Sequence, residues 1–340
     1  MKRTVKRLSI PFREPFATAS GVVTARDVLL LELEDSDGAR GFGEAAPFEP
    51  YDGVSIEAAA AALLADGGHG AAREPLPQAR AAEEMAALDL RARRDRRPVG
   101  DPGAEAIAVN RTLPAGPPDE VARYAADGVR AGYSCFKLKV GLPDDAARVA
   151  AVREAIGPWP ALRIDANGAW GVGEAIEMVR ALEPFDLQLV EQPCRTLPDL
   201  ASVRAAVNAP IAADEPIASA GDVQRAATLE ACDLVNVKLA ASGGFSGARA
   251  TLRAASAHGL GAFLSSTLDG PWGIAAALQL AASERVSLAC GLATLELFDA
   301  RLARVLPPPR AGLLAVPQGP GLGIAADSAA VAEVLVEELT

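Results

Sequence analysis

Six charged residues recur at the ends of short apolar runs, and their types are those of acid–base and metal chemistry. Lys137 and Lys139 lie in Cys135-Phe136-Lys137-Leu138-Lys139-Val140, Asp165 and Glu191 end the next two runs, Asp214 ends a third ahead of Glu215, and Lys238 ends a fourth. Residues two apart on a strand face the same side. The two lysines therefore project into one space, where buried ammonium groups are costly unless they meet negative charge. Asp165, Glu191 and Asp214 offer hard oxygen donors without sulfur or imidazole, a set that suits Mg2+, with Mn2+ next. A cation so held can take up a substrate carboxylate and acidify the carbon beside it. A lysine of lowered pKa then removes the α-proton, and the metal with a second cation stabilises the enediolate. Because neighbouring cations depress one another, Lys137 is expected to help keep Lys139 neutral enough to act as a base. Singly, each residue has a plainer role in a turn or a surface ion pair. Asn167 could cap the turn Asp165-Ala166-Asn167-Gly168, Glu215 could orient a lysine, and Trp170 and Trp272 read as packing. Six in register, acids between lysines, are what loops alone do not explain.

The elements that must position these residues follow from periodicity. The spacing predicts strands over 106–110, 135–140, 162–165, 187–191, 211–214, 234–238, 261–265 and 286–288. Amphipathic helices intervene, among them 118–131, 173–182 and 245–258. Strict alternation of eight strands with helices predicts a parallel (β/α) barrel, in which the carboxyl ends of the strands share one mouth. A doubly wound sheet is the alternative, and it lacks a Gly-rich dinucleotide fingerprint after the first strand. Ahead of the barrel, residues 5–33 and 40–45 read as an antiparallel meander turning at Asp35-Ser36-Asp37-Gly38, followed by Ala-rich helices over 55–65, with Ser55 as N-cap, and 78–94. The arginines of 91–97 suit a solvated helix end. A Pro/Gly linker at 98–103 marks a boundary near residue 100.

Composition limits the rest. The chain has 340 residues, half of them hydrophobic, enough for a full core and more than one domain. A net charge of −11 argues against nucleic acid or an anionic membrane as partner. No run reaches transmembrane length and no signal peptide is visible, so a cytoplasmic location is expected. The four cysteines form no CxxC pair and read as buried thiols, while His69 and His258 have no ligand spacing, which leaves acid–base work to other groups. A small-molecule carboxylate is the expected partner, and a homo-oligomer is left open.

The motifs Lys137-Leu138-Lys139, Asp165-Ala166-Asn167, Glu191-Gln192-Pro193, Ala213-Asp214-Glu215, Asn236-Val237-Lys238 and Gly243-Gly244 together resemble the enolase superfamily, in its muconate-cycloisomerase-like subgroup. The resemblance implies a modified (β/α)7β barrel (an α/β TIM barrel) over 101–300, with an α+β capping domain built from residues 1–100 and from a C-terminal segment, 301–340, that returns to it. It implies Mg2+ on Asp165, Glu191 and Asp214, Lys139 and Lys238 as face-to-face acid/base groups, and Lys137 assisting Lys139 and the substrate carboxylate, an arrangement established for that superfamily. It further implies a loop, Thr18 to Gly21 with Thr18 and Ser20, closing over substrate. Asn167, Gly243, Ser265, Ser266 and Asp269 are the other expected substrate contacts, supported by Glu215 and Gln192. Dipeptide epimerases of the subgroup carry an Asp-x-Asp pair after the eighth strand. Here that stretch reads Cys290-Gly291-Leu292-Ala293-Thr294-Leu295-Glu296-Leu297-Phe298, and it resembles the o-succinylbenzoate synthases, as do Leu264 to Asp269, Glu191 to Cys194 and Pro317 to Gly323. The expected activity is the dehydration that family performs in menaquinone biosynthesis. N-succinylamino-acid racemisation, dipeptide epimerisation and muconate cycloisomerisation are alternatives on the same site, and a non-catalytic carboxylate-binding barrel is a remoter one.

Overall fold

A computed structural model describes residues 1–18, 21–65, 76–101, 103–302, 304–325 and 328–339. It begins with two long strands, β1 (Lys2–Thr18) and β2 (Gly21–Glu34), and a shorter β3 (Arg40–Ala45). With the last strand, β13 (Leu335–Leu339), they form an antiparallel sheet in the order β13-β1-β2-β3. Both faces of this sheet are buried, which is why 28–31 is apolar without interruption. Leu29 and Leu31 pack under α2 (Ile56–Leu64) and α3 (Pro77–Arg94), while Val28 and Leu30 join the main core on the barrel side. Ser55 caps α2, accepting from Ala58 N at 3.1 Å. Alanines 79, 82 and 86 of α3 let that helix lie on the backbone of β3, where a Cβ at Gly43 would stand 2.0 Å from the Ala82 carbonyl oxygen. A short helix, α1 (Glu49–Asp52), crosses from β3 to α2.

The barrel comprises β5 (Arg111–Leu113), β6 (Cys135–Lys139), β7 (Ala161–Asp165), β8 (Leu187–Glu191), β9 (Ile211–Ala213), β10 (Leu234–Val237) and β11 (Gly261–Leu264), hydrogen-bonded in sequence order and all parallel. Helices α4 (Pro118–Arg130), α5 (Asp145–Ile156), α6 (Val172–Leu182), α7 (Leu197–Arg204), α8 (Ala220–Thr228) and α9 (Phe245–Ala257) alternate with them. After β11 comes α10 (Pro271–Ser283), buried along nearly its whole length. The chain ends through β12 (Leu313–Ala315), α11 (Ser328–Ala332) and β13. Among the described residues no helix is long and apolar enough to cross a membrane.

Two of the expected strands are corrected. Residues 106–110 do not form the first barrel strand as a unit: β4 (Ala106–Ala108) pairs antiparallel with β12, and the barrel strand proper is β5. Residues 286–288 are not a strand. The eighth position is taken by two single bridges, Cys290 with Val109 and Gly291 with Ser265, both parallel, and these close the sheet from β11 to the first strand. Apolar periodicity over three residues cannot separate a strand from a buried turn.

Candidate active site

Lys139, Asp165 and Glu191 stand in register on β6, β7 and β8 and face the barrel interior at the carboxyl ends of those strands. Lys137 Nζ lies between two carboxylates, 2.9 Å from Asp165 Oδ2 and 2.7 Å from Glu191 Oε2. Lys139 Nζ donates to Asp165 Oδ2 at 2.7 Å and also contacts Asn167 Oδ1. Lys238, after β10, is ion-paired with Asp214. Strands two and six of eight are diametrically opposed, so Lys139 and Lys238 come from opposite walls. The other carboxylate oxygens are held by neighbours: Asn167 N donates to Asp165 Oδ1 (2.9 Å) and Asn236 Nδ2 to Glu191 Oε1 (2.8 Å). Gln192 fixes the backbone beside them. Its Oε1 accepts from Asp214 N at 2.7 Å and its Nε2 donates to the Cys194 carbonyl at 2.8 Å. Asn167 also donates to Glu215 Oε1 (3.0 Å), linking that acid to Lys139.

Burial works against the charge of Lys137, but Asp165, Glu191 and Asp214 outweigh it and raise the pKa. Lys238 is raised in the same way, with Asp214, Glu191 and Glu215 prevailing over burial. Lys137 and Lys238 are each held charged by the carboxylates around them. Burial likewise opposes the charge of Asp165, yet Lys137 and Lys139 hold it well below the ordinary carboxylate range. Glu191 goes up, pushed by burial and by Asp165 and Asp214 against the pull of Lys137. Glu215 is raised by burial and by the charges of Asp214 and Asp165, against the pull of Lys238 and the Asn167 hydrogen bond.

Not every expected residue joins this cluster. Ser265 donates to Asn236 Oδ1 (2.7 Å), and Ser266 pairs with Thr294 at 2.7 Å. Gly243 lies in the seam with the cap, against the Arg80 guanidinium, and Asp269 is buried there, accepting from Thr267 N at 3.1 Å with Arg26 nearby. Thr18 ends β1, opposite Gly21, and Ser20 and His69 lie outside the described residues. The sequence reading missed Tyr51. From α1 in the cap its hydroxyl accepts from Lys238 Nζ (2.8 Å) and lies 3.3 Å from Asp214 Oδ1, while its ring lies 4.8 Å from the same ammonium. Burial first, then the carboxylates of Asp214, Glu215, Glu191 and Asp165, raise its phenol pKa. The one signal in the sequence was an aromatic residue in the Pro50-Tyr51-Asp52-Gly53 turn.

Asp165, Glu191 and Asp214 are the residues that could hold a divalent cation. Their convergence is partial: Lys137 stands between two of them, and among the described residues no three acidic, imidazole or thiolate groups are gathered to enclose an ion unaided. The donor chemistry nonetheless fits. Asp165, Glu191 and Asp214 end neighbouring strands and supply hard carboxylate oxygens, the donor type that Mg2+ prefers.

A family model described as enolase C-terminal domain-like matches residues 120–330. The chain belongs to the enolase superfamily of enzymes. It is 38% identical over 303 residues to an o-succinylbenzoate synthase of Thermobifida fusca (strain YX), covering 87% of this chain and 82% of the relative. It is 31% identical over 308 residues to an L-Ala-D/L-Glu epimerase of Clostridium acetobutylicum, covering 83% and 86%. Among solved structures, a dipeptide epimerase of Enterococcus faecalis V583, complexed with Mg and the dipeptide L-Leu-L-Tyr, superimposes with a TM-score of 0.86 at 27% identity, over 95% of this chain and 99% of that one.

Proposed function

We propose that this protein is an o-succinylbenzoate synthase, dehydrating a cyclohexadiene carboxylate with Mg2+ as cofactor. The carrying observation is the opposed pair Lys139 and Lys238, set over the carboxylates Asp165 and Asp214 from facing walls. Asp165, Glu191 and Asp214 would hold the cation, which when bound supplies charge to neutralise the substrate carboxylate and make the adjacent carbon acidic. Lys139 takes the α-proton on Nζ. The carbon–oxygen bond at the neighbouring carbon breaks, and the departing hydroxyl takes that proton back to leave as water, so the net change is loss of one water and aromatisation of the ring. Lys238 stays protonated above the opposite face and balances the charge of the electron-rich ring. Lys137 holds Asp165 and Glu191 in place and lends a positive charge near the carboxylate. Asn167 and Glu215 orient Lys139.

Dehydration is favoured over dipeptide epimerisation by the stretch after the eighth strand. Its single acid, Glu296, is engaged by the Tyr133 hydroxyl at 2.5 Å, so that stretch offers no free carboxylate for a substrate ammonium. The two opposed lysines equally suit racemisation of N-succinyl amino acids, which carry no such ammonium, and this is the second reading. Purified protein with Mg2+ should be assayed against the o-succinylbenzoate precursor, N-succinyl amino acids, dipeptides and muconate. Turnover of the precursor is expected, and activity on dipeptides alone would reject the proposal.

A further inference from the structure

Beneath the lysines runs a buried hydrogen-bond chain. Ser265, just after β11, is 6% exposed, Asn236 on β10 is 1% exposed and Glu191 is fully buried. The Ser265 hydroxyl donates to Asn236 Oδ1 at 2.7 Å, and Asn236 Nδ2 donates to Glu191 Oε1 at 2.8 Å. We infer that Ser265 and Asn236 are positioning residues that set the Glu191 carboxylate for a divalent cation, with Ser265 acting through Asn236 and not by touching substrate.

The polarity of the chain follows from what each group can do. An ionised carboxylate only accepts, so Asn236 must turn its NH2 edge toward Glu191. Its Oδ1 is then left in the protein interior and needs a donor, which the Ser265 hydroxyl provides. The amide is held at both edges, and one carboxylate oxygen is fixed. Glu191 therefore presents its other oxygen, Oε2, to the centre of the site, where Lys137 now meets it at 2.7 Å. The backbone is arranged to permit this. Ser265 N bonds the Val237 carbonyl at 3.0 Å, locking β11 to β10 at this level. Gly291 makes room on the other side, since a Cβ there would stand 2.8 Å from Ser265 Cβ. Without the hydroxyl, Oδ1 becomes a buried acceptor with no partner, the amide is free to rotate, and Glu191 loses its fixed orientation.

The inference rests on the metal site proposed above, and calorimetric titration with Mg2+ alone separates the two. Outer-shell partners of metal ligands typically change affinity about 10–100-fold. Asn236→Leu is expected within that range, Ser265→Ala at its lower end, and Ser265→Thr should restore wild-type affinity. For the substrate identified by the assay panel, Ser265→Ala should lower kcat at limiting Mg2+, recover at saturating Mg2+ and leave KM unchanged. Should Ser265→Ala fail to fold, Ser265→Cys, which keeps only a weak donor, is read the same way. Wild-type Mg2+ affinity in these variants together with a raised KM would return Ser265 to the substrate contacts and overturn the inference alone. Absence of Mg2+ binding by the wild type would overturn the metal site and this inference with it.

Discussion

Lys137 and Lys139 are two residues apart on one strand yet meet different surroundings. Lys137 is pinned between Asp165 and Glu191 with its side chain 12% exposed, whereas Lys139 is 34% exposed and leans on Asp165 and Asn167. Only the second has the freedom to follow a proton. Lys139→Ala is therefore expected to lower turnover by roughly 10²–10⁴-fold, the usual worth of a general base, while calorimetry finds Mg2+ affinity little changed. Strong residual turnover would remove it as the base. Tyr51→Phe keeps the ring under Lys238 and removes the hydroxyl between Lys238 and Asp214. A hydrogen bond to a charged group is worth about 1.5–3 kcal/mol, so steady-state kinetics should record a fall in kcat of at least about tenfold. Wild-type kinetics would make Tyr51 a packing residue. The charged strand ends were legible in the sequence because a strand alternates its faces and a barrel gathers its carboxyl ends. Tyr51 was not, since 187 residues separate it from Lys238 and only the docking of the cap brings them together.

At the scale of elements, the cap is fastened to the barrel through helix N-termini. Glu44 on β3 accepts from Gly270 N (2.6 Å) and Gly273 N (3.4 Å) at the start of α10, and Glu84 on α3 accepts from Ser246 N (3.2 Å) at the start of α9. Arg26 on β2 reaches the Thr267 carbonyl at 3.3 Å. These contacts complement orphan donors and the helix dipole. Glu44 is only 2% exposed, and burial, with the charge of Asp269, raises its pKa to about 8 against the hydrogen bonds of Gly270 and Gly273 and the pull of Arg26. An unfolded glutamate titrates near about 4.3. Between those values the folded chain holds a proton that the unfolded chain has released, so this group's contribution to stability falls as pH rises to about 8 and is level above it. Glu44→Gln keeps an acceptor without the charge. Melting curves should show a flatter pH dependence from 5 to 8 and a higher stability than the wild type at pH 8. Parallel pH profiles for the two proteins would contradict this account. The sequence did not announce the clasp, because a lone Glu at a strand end carries no mark of the helix it will cap. It also misplaced the first and eighth barrel strands, where closure rests on single bridges at Cys290 and Gly291 too short to leave a periodic pattern.

For the whole molecule, the proposed cation would link binding to folding. Ions that bind only the native state stabilise it by about 2.7 kcal/mol at a hundredfold excess over Kd. Removing Mg2+ with EDTA is expected to abolish activity and lower the melting temperature by several degrees, with Mg2+ or Mn2+ restoring both. A melting temperature indifferent to EDTA and Mg2+ would count against the proposed metal site. By itself the sequence determined the β/α alternation, the acids set between lysines and the oxygen character of the donor set, because these follow from local periodicity and residue type. Tertiary structure decided what depends on distance. It placed Lys139 and Lys238 on opposite walls, and it set Lys137 among the carboxylates of Asp165, Glu191 and Asp214 so that its pKa is raised. It also drew Ser265 into the chain to Glu191 and brought Tyr51 over from the cap. Electrostatic energy depends on separation and burial, and neither is written in the order of residues along a chain.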